Sequence, residues 1–197
     1  MAPAPSTAYQ ELARALNSLG YDVGSVDELR RSGIRYASAV PMLREWLPRM
    51  ETGDKECVVR ALSVPWARSP ETLRLLITEF ERSDQPMLRW AIGNALEVLG
   101  TESDLDALVR LASDGRYGTA RQMIVLALGK FPQDARIFDL LVRLTNDEDV
   151  VGHAVSALAR LRDPRAEQRL RELARHQKAW IRRAARKGLK GLGLDPS

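Results

Sequence analysis

The sequence predicts an all-α fold, an α-α superhelix (solenoid) of about five stacked helix pairs behind an N-terminal helical cap. The main observation is a small residue followed by leucine, a step that recurs with 34, 32, 30 and 31 residues between successive leucines. A fixed period in this range is typical of supersecondary units that cannot bury their apolar faces alone. A second observation is that no segment alternates apolar and polar residues as a half-buried strand would. The steps are Ala61-Leu62, Ala95-Leu96, Ala127-Leu128, Ala157-Leu158 and Gly188-Leu189.

The cap is predicted at 6–33. Ser6 or Thr7 is expected to cap a first helix, because a side-chain oxygen at that position accepts a hydrogen bond from a free backbone N–H. Ser25 is expected to begin a short second helix that ends near Gly33, since glycine commonly follows the last residue of a helix. These two helices would cover the open end of the stack.

Five repeats of paired helices are predicted to follow the cap, with prolines and glycines at the breaks between helices. The second helix of each repeat carries the small-residue–leucine step. The small residue lets neighbouring helices approach closely, and each leucine that becomes fully buried contributes about 1.5–3 kcal/mol. We expect a single domain over 1–197, with repeats at about 36–65, 70–99, 102–130, 134–161 and 164–193.

The composition is that of a globular protein, with 197 residues of which 45% are hydrophobic and 28% are charged. No apolar run of about eighteen residues and no secretory signal pattern occurs, so we expect neither a membrane span nor export. Cys57 is the only cysteine, which excludes a disulfide within the chain and favours a reducing cytoplasm. Arginine outnumbers lysine 25 to 5, which favours a GC-rich bacterial genome. We therefore expect a cytoplasmic bacterial protein, and we predict a monomer.

Four segments resemble short HEAT repeats of the type found in phycobilisome-lyase-like proteins. They are AVPMLREWL at 39–47, VVRAL at 58–62, ALARLRDPRAEQRLRELA at 157–174 and WIRRAARKGL at 180–189. The resemblance covers about 36–193. Because HEAT proteins mostly act as adaptors, it implies a non-catalytic scaffold that binds a protein partner.

The sequence has no pattern typical of a catalytic, metal or cofactor site. His153 and His176 stand 23 residues apart, and neither is followed by glutamate as in the paired His-Glu motifs of some iron-binding HEAT-like enzymes. His153 is expected at the edge of the core. Cys57 lies on the apolar stripe of its helix, where a thiol packs as a small hydrophobic group. We predict no enzyme activity, no metal and no cofactor.

Basic residues stand seven positions before four of the repeat leucines. In HEAT stacks such residues commonly bond acidic groups of the preceding turn or the next repeat. The resemblance therefore favours a structural ladder over a binding role, with Asp84 and Asp114 as the expected partners. The basic residues are Lys55, Arg89, Arg121 and Arg182, and Val151 interrupts the series.

One face of the second helices points away from the apolar stripe. In HEAT folds the second helices usually line the concave side, so the resemblance makes this face the floor of a groove. Trp90 is its expected centre because tryptophan is common in binding hot spots, and the alternative is that Trp90 folds down against the neighbouring helix. Ser156 and Lys187 share this face. The candidate partner-binding residues are Arg60, Trp90, Asn94, Gln122, Leu126 and Arg183.

Two other tryptophans have different expected roles. Trp66 stands beside Arg68 in a link stiffened by two prolines and is a second binding candidate. Trp46 lies on the apolar side of its helix and is expected in the core.

The positive charge is concentrated at the C-terminal end. Residues 1–159 carry 18 basic and 22 acidic groups, whereas 160–197 carry 12 basic and 4 acidic groups. The last helix therefore offers a site for phosphate groups, which would make binding depend strongly on salt. The alternative is a solvated outer face, which a terminal repeat needs for solubility. The candidate phosphate-binding residues are Lys178, Arg182, Arg186, Lys187 and Lys190.

We therefore predict a non-catalytic HEAT-repeat scaffold that binds a protein partner in the groove lined by the second helices. The alternative is a nucleic-acid-binding protein that uses the basic C-terminal repeat and resembles the HEAT-like alkylpurine DNA glycosylases. Those enzymes use tryptophans and an acidic residue in a basic groove, and this sequence lacks a tryptophan–aspartate motif on a shared helix face. A phycobilin lyase is a third interpretation, which rests on repeat similarity alone.

Overall fold

A computed structural model describes residues 6–195 of the chain. Among those residues it contains twelve α-helices, several short 3-10 helices and no β-strand, which confirms the predicted all-α fold class. The ends of the predicted domain, 1–5 and 196–197, lie outside the described residues. The chain divides into two compact units, Met1–Leu99 and Gly100–Ser197.

The first unit contains α1 (Thr7–Ser18), α2 (Val26–Arg31), α3 (Val40–Trp46), α4 (Thr52–Leu62), α5 (Pro70–Arg82) and α6 (Pro86–Leu99). Ser6 caps α1 and Ser25 caps α2, and each side chain accepts a backbone N–H three residues later, as predicted. In space, α1 packs against α3, while α2 packs against α4. The two cap helices therefore cover the pair α3 and α4 in the same way that a preceding helix pair would.

The second unit contains α7 (Leu105–Ser113), α8 (Gln122–Leu128), α9 (Ala135–Leu144), α10 (Val151–Leu161), α11 (Glu167–Leu173) and α12 (Ala179–Gly191). The second helices α8, α10 and α12 form one layer, in which α10 contacts both of the others. The first helices α7, α9 and α11 each pack against the second helix of their own pair. Helix α8 begins only at Gln122, after Gly118, whose backbone is non-helical with φ of 50°.

The leucines of the repeated step lie at the centre of the core. All five have an exposed fraction of 0%, and the four alanines that precede them are at most 1% exposed. The small residues are required sterically. A Cβ on Gly188 would lie 2.8 Å from the Cβ of Ala159, and a Cβ on Gly129 would lie 2.7 Å from the carbonyl oxygen of Ala157. In the second unit, successive second helices therefore pack with almost no side-chain volume between them.

Two residues of the basic series form ion pairs with the next repeat. Lys55 Nζ lies 2.5 Å from Glu79 Oε2, and both side chains are largely buried. Arg121 is only 1% exposed. Its Nη1 donates to the carbonyl oxygen of Ala112 at 3.0 Å, and its Nη2 donates to Asp147 Oδ2. These contacts give both basic residues the structural role that the sequence favoured.

The two aspartates expected as partners of this series form hydrogen bonds with other residues. Asp84 accepts a hydrogen bond from the side chain of Gln85, and Asp114 binds Arg116. Arg89 instead donates to the carbonyl oxygen of Phe80, near the end of the preceding helix. The reason is the helix dipole: the last carbonyl groups of a helix carry negative partial charge and attract a guanidinium.

An aspartate–x–arginine motif begins a helical segment three times, at Asp114–Arg116, Asp134–Arg136 and Asp163–Arg165. Each carboxylate accepts the backbone N–H of the arginine and also both Nε and Nη2 of its guanidinium. These hydrogen bonds favour the ionised form and hold the pKa of all three aspartates below the usual value, at about 2 for Asp114.

Removal of the carboxylate that pairs with Arg121 is expected to destabilise the second unit. Asp147→Ala leaves a buried guanidinium without its charged partner and should lower the free energy of unfolding by about 1.5–3 kcal/mol. Urea denaturation followed by circular dichroism measures this loss. Glu148→Ala is the matched control, because Glu148 is exposed and its removal changes the charge equally. Equal losses in the two variants would contradict the structural role of the ion pair.

The three aspartates also predict a loss of stability in acid. The pKa values of these aspartates are lower in the folded state than in the unfolded state. Above the unfolded pKa of 3.8, the ionised carboxylates therefore stabilise the fold. This contribution is lost as the pH falls through the folded-state pKa, which is about 2 for Asp114. The melting temperature should therefore fall between about pH 4 and about pH 2. In the triple variant D114N, D134N and D163N the decrease should be shallower, because asparagine keeps the capping acceptor but not the charge. Identical slopes in thermal melts of the two proteins would refute this.

Candidate binding cavity on the second helices

The second unit has a cavity of about 520 Å³ on the layer formed by its second helices. Leu126 of α8 supplies the largest apolar side chain of the lining. Ser156 and Ala159 of α10 and Ala184 of α12 also line it. All three second helices therefore contribute to one concave surface, and small side chains leave the space open.

Basic side chains also line this cavity. They are Arg160, Arg162 and Lys187, and the described residues that line it include no aspartate or glutamate. Arg162 caps the C-terminal end of α10 with φ of 53°, a left-handed conformation that glycine usually takes. The cavity thus combines an apolar wall with positive charge, which suits a ligand that has both apolar and anionic groups.

The structure brings together only some of the predicted site residues of the second unit. Leu126, predicted to bind a partner, and Lys187, predicted to bind phosphate, line the same cavity. Gln122 does not line it. Its Nε2 donates to the carbonyl oxygen of Asp149 at 2.7 Å and holds α8 against the turn before α10. Arg183 is exposed and immediately precedes the lining residue Ala184.

Trp180 is a residue that the sequence did not single out. Its side chain is 45% exposed, and its ring lies over Gly152, where an added Cβ would be 1.4 Å from Trp180 Cζ3. Residues four apart share a helix face. Trp180 therefore lies on the face of α12 that carries Ala184, and Gly152 lies on the face of α10 that carries Ser156. An exposed aromatic ring therefore flanks the cavity. The available signal was Gly152 itself, which stands where the other repeats have larger side chains.

The predicted site residues of the first unit have partners of their own. Trp90 on α6 is half-buried. Asn94 donates from Nδ2 to the carbonyl oxygen of Trp90 at 2.9 Å, within the same helix. Arg60 on α4 binds Glu56 through Nε at 3.0 Å and Nη2 at 2.6 Å. A binding role for these three residues stays a prediction.

The other tryptophans pack within the first unit. The ring of Trp66 meets that of Tyr36 edge-on, with centroids 5.4 Å apart. Arg68 donates to the last two carbonyl groups of α6, so this linker has a structural function. Trp46 is only half-buried rather than in the core, and the guanidinium of Arg49 lies 5.4 Å from its ring centre. Trp46 is the last residue of α3, where the chain passes into a short 3-10 turn.

The five predicted phosphate-binding residues occupy different environments. Arg182 donates from Nη1 to two backbone carbonyl groups of the preceding turn, at 2.8 and 2.6 Å. Lys178, Arg186 and Lys190 are exposed. Lys187 lines the cavity, whereas the neighbouring Arg186 does not. The two adjacent cations therefore make a natural pair for comparison.

Burial shifts the pKa values of Cys57 and His153. Cys57 is half-buried, and burial raises the pKa of its thiol, away from the reactive thiolate. His153 lies at the edge of the core, where burial lowers its pKa. Among residues 6–195, no three histidine, cysteine, aspartate or glutamate side chains come together as metal ligands. No helix in this range is long and apolar enough to cross a membrane.

Comparison with known proteins supports the resemblance. Residues 117–190 match the family model for HEAT repeats. A search of curated proteins found no significant match. The matched segment contains α8 to α11 and nearly all of α12, and therefore almost the whole cavity lining. Residues 117–190 are therefore similar to HEAT repeats, and this match covers less than half of the chain.

Proposed function

We propose that the chain is a non-catalytic binding module and that the face formed by α8, α10 and α12 holds a protein partner. HEAT repeats generally mediate protein interactions. The observation that carries the proposal is the cavity of about 520 Å³ between these three helices. Its volume is within the range of about 300–1,000 Å³ that is usual for ligand pockets.

The preformed shape of this face also supports binding. Gln122 is fixed by the carbonyl group of Asp149, and Ser156 Oγ donates to the carbonyl oxygen of Gly152 at 2.8 Å. The helices beneath are held by buried leucines. A surface that is already ordered loses little conformational entropy when it binds, so more of the contact energy appears as affinity.

Nucleic-acid binding is the alternative, and the exposed Lys178, Arg186 and Lys190 favour it. Two observations favour a protein partner instead. The guanidinium of Arg182 already binds backbone carbonyl groups, and Leu126 gives the cavity an apolar wall. Phosphate groups bind through cations, and an apolar wall adds nothing to their binding.

Photocross-linking tests the location of the binding face. Benzoyl-phenylalanine in place of Arg160, an exposed residue, is part of the cavity lining, whereas in place of Arg186 it is on α12 outside the lining. We expect cross-linking to a protein in lysate of the source organism from position 160 and much less from position 186. The products are identified by mass spectrometry before and after nuclease treatment. Equal products from both positions, or products that nuclease removes, would contradict the proposal.

A truncation of the apolar wall tests the same face without a probe. Leu126→Ala should weaken capture of that partner about tenfold or more, since truncation of a hot-spot residue costs about 2 kcal/mol or more. Leu19→Ala is the matched control, because Leu19 is 44% exposed and belongs to the cap. Melting temperatures of both variants show whether the fold is retained. The same capture measured for Trp90→Ala tests the predicted role of the first unit.

A further inference from the structure

We infer that the cavity on α8, α10 and α12 receives an acidic segment of a partner protein, and that one apolar side chain of this segment contacts Leu126. The inference rests on the proposed function and adds the chemistry of the partner. Three features of the second unit support it: the distribution of charge, the backbone at Arg162 and the nature of the cavity lining.

Charge is segregated in the second unit. Helix α8 has no charged residue, α10 has one basic residue and α12 has five, and none of the three helices contains an acidic residue. The first helices α7, α9 and α11 each contain both signs. The second helices of the first unit, α4 and α6, are also mixed. Only the cavity-bearing layer is purely basic, so it attracts an acidic partner and repels a basic one.

Arg162 provides a second, independent observation. It is the one residue other than glycine with positive φ in the part of the chain that the structure describes. Glycine would take this conformation without the steric conflict that a Cβ creates. The arginine here is exposed and lines the cavity. Strained positions of this kind tend to occur at ligand sites, where the side chain has a use that offsets the strain.

The lining defines the occupant more closely. Carboxylates form short, charge-assisted hydrogen bonds with arginine and lysine, which Arg162 and Lys187 offer at this cavity. Leu126, Ala159 and Ala184 offer an apolar surface beside them. A peptide segment with aspartate or glutamate near a leucine, methionine or phenylalanine satisfies both groups at once. A phosphate backbone satisfies the cations alone and would engage Arg186 as well as Lys187.

Selection of peptides tests this inference without knowledge of the partner. A phage library of short random peptides is panned against the full chain and, in parallel, against Leu126→Ala. We expect the wild-type chain to enrich sequences that place an acidic residue within a few positions of a large apolar one. Failure to enrich any sequence, or enrichment of basic sequences, would overturn the inference.

A selected peptide, labelled and measured by fluorescence polarisation, then tests the cavity itself. Lys187→Glu should weaken its binding about tenfold, and the control Arg186→Glu by no more than about twofold, since only Lys187 lines the cavity. Arg162→Gly should also weaken binding while the melting temperature stays at or above that of the wild type. Equal losses for Lys187→Glu and Arg186→Glu would overturn the inference, because they would indicate diffuse attraction to the helix.

Two outcomes separate this inference from the proposed function. If the enriched peptides lack acidic residues but require Leu126 for binding, the inference of an acidic partner is refuted, while the proposal of a protein-binding face is retained. Nuclease-sensitive products in the cross-linking experiment, together with displacement of the labelled peptide by duplex DNA, would overturn both.

Discussion

The close contact between successive second helices of the second unit is the constraint on which the rest of that unit depends. At Gly129 and Gly188 even a methyl group would collide with the neighbouring helix. A helix pair of this length cannot bury its apolar face alone, so each pair is stable only when the next lies this near. On the open side of the layer, Ala159, Ala184 and Gly191 are too small to fill the space between the helices, and the cavity occupies it.

Ion pairs add specificity to this packing. Lys55 with Glu79 and Arg121 with Asp147 join a second helix to the following repeat. Buried pairs of this kind contribute little net stability, because desolvation of the charges offsets their attraction. They do penalise any arrangement in which one charge is buried without the other. Their role is therefore to fix which turn of one repeat faces which turn of the next.

The sequence was sufficient to predict the all-α fold class because its apolar residues recur periodically. The leucine step, the helix caps at Ser6 and Ser25 and the breaks between helices all follow local rules. The partners of the basic residues were not predictable in this way. Spacing along the chain cannot show that Arg89 reaches the carbonyl group of Phe80 rather than Asp84.

The cavity could not be predicted from the sequence for a different reason. Its existence depends on missing volume at Ala159 and Ala184, and in sequence such alanines look like any alanine of a helical core. Trp180 was missed because the sequence comparison aligned the repeats on their leucines. In that alignment Arg183, and not Trp180, is the residue equivalent to Gly152. The ring that covers Gly152 comes from three residues earlier. Which side chain covers a glycine is decided by the tertiary packing of α12 on α10.

The contact between Gly152 and Trp180 links two positions that are far apart in the chain. The indole fills the space that any β-carbon at position 152 would need. A larger residue there must displace the ring, and loss of the ring would expose bare helix backbone to water. Neither position can therefore change independently during evolution. Among related proteins we expect glycine at position 152 wherever position 180 is tryptophan. We expect larger side chains at position 152 only where position 180 lacks an aromatic ring.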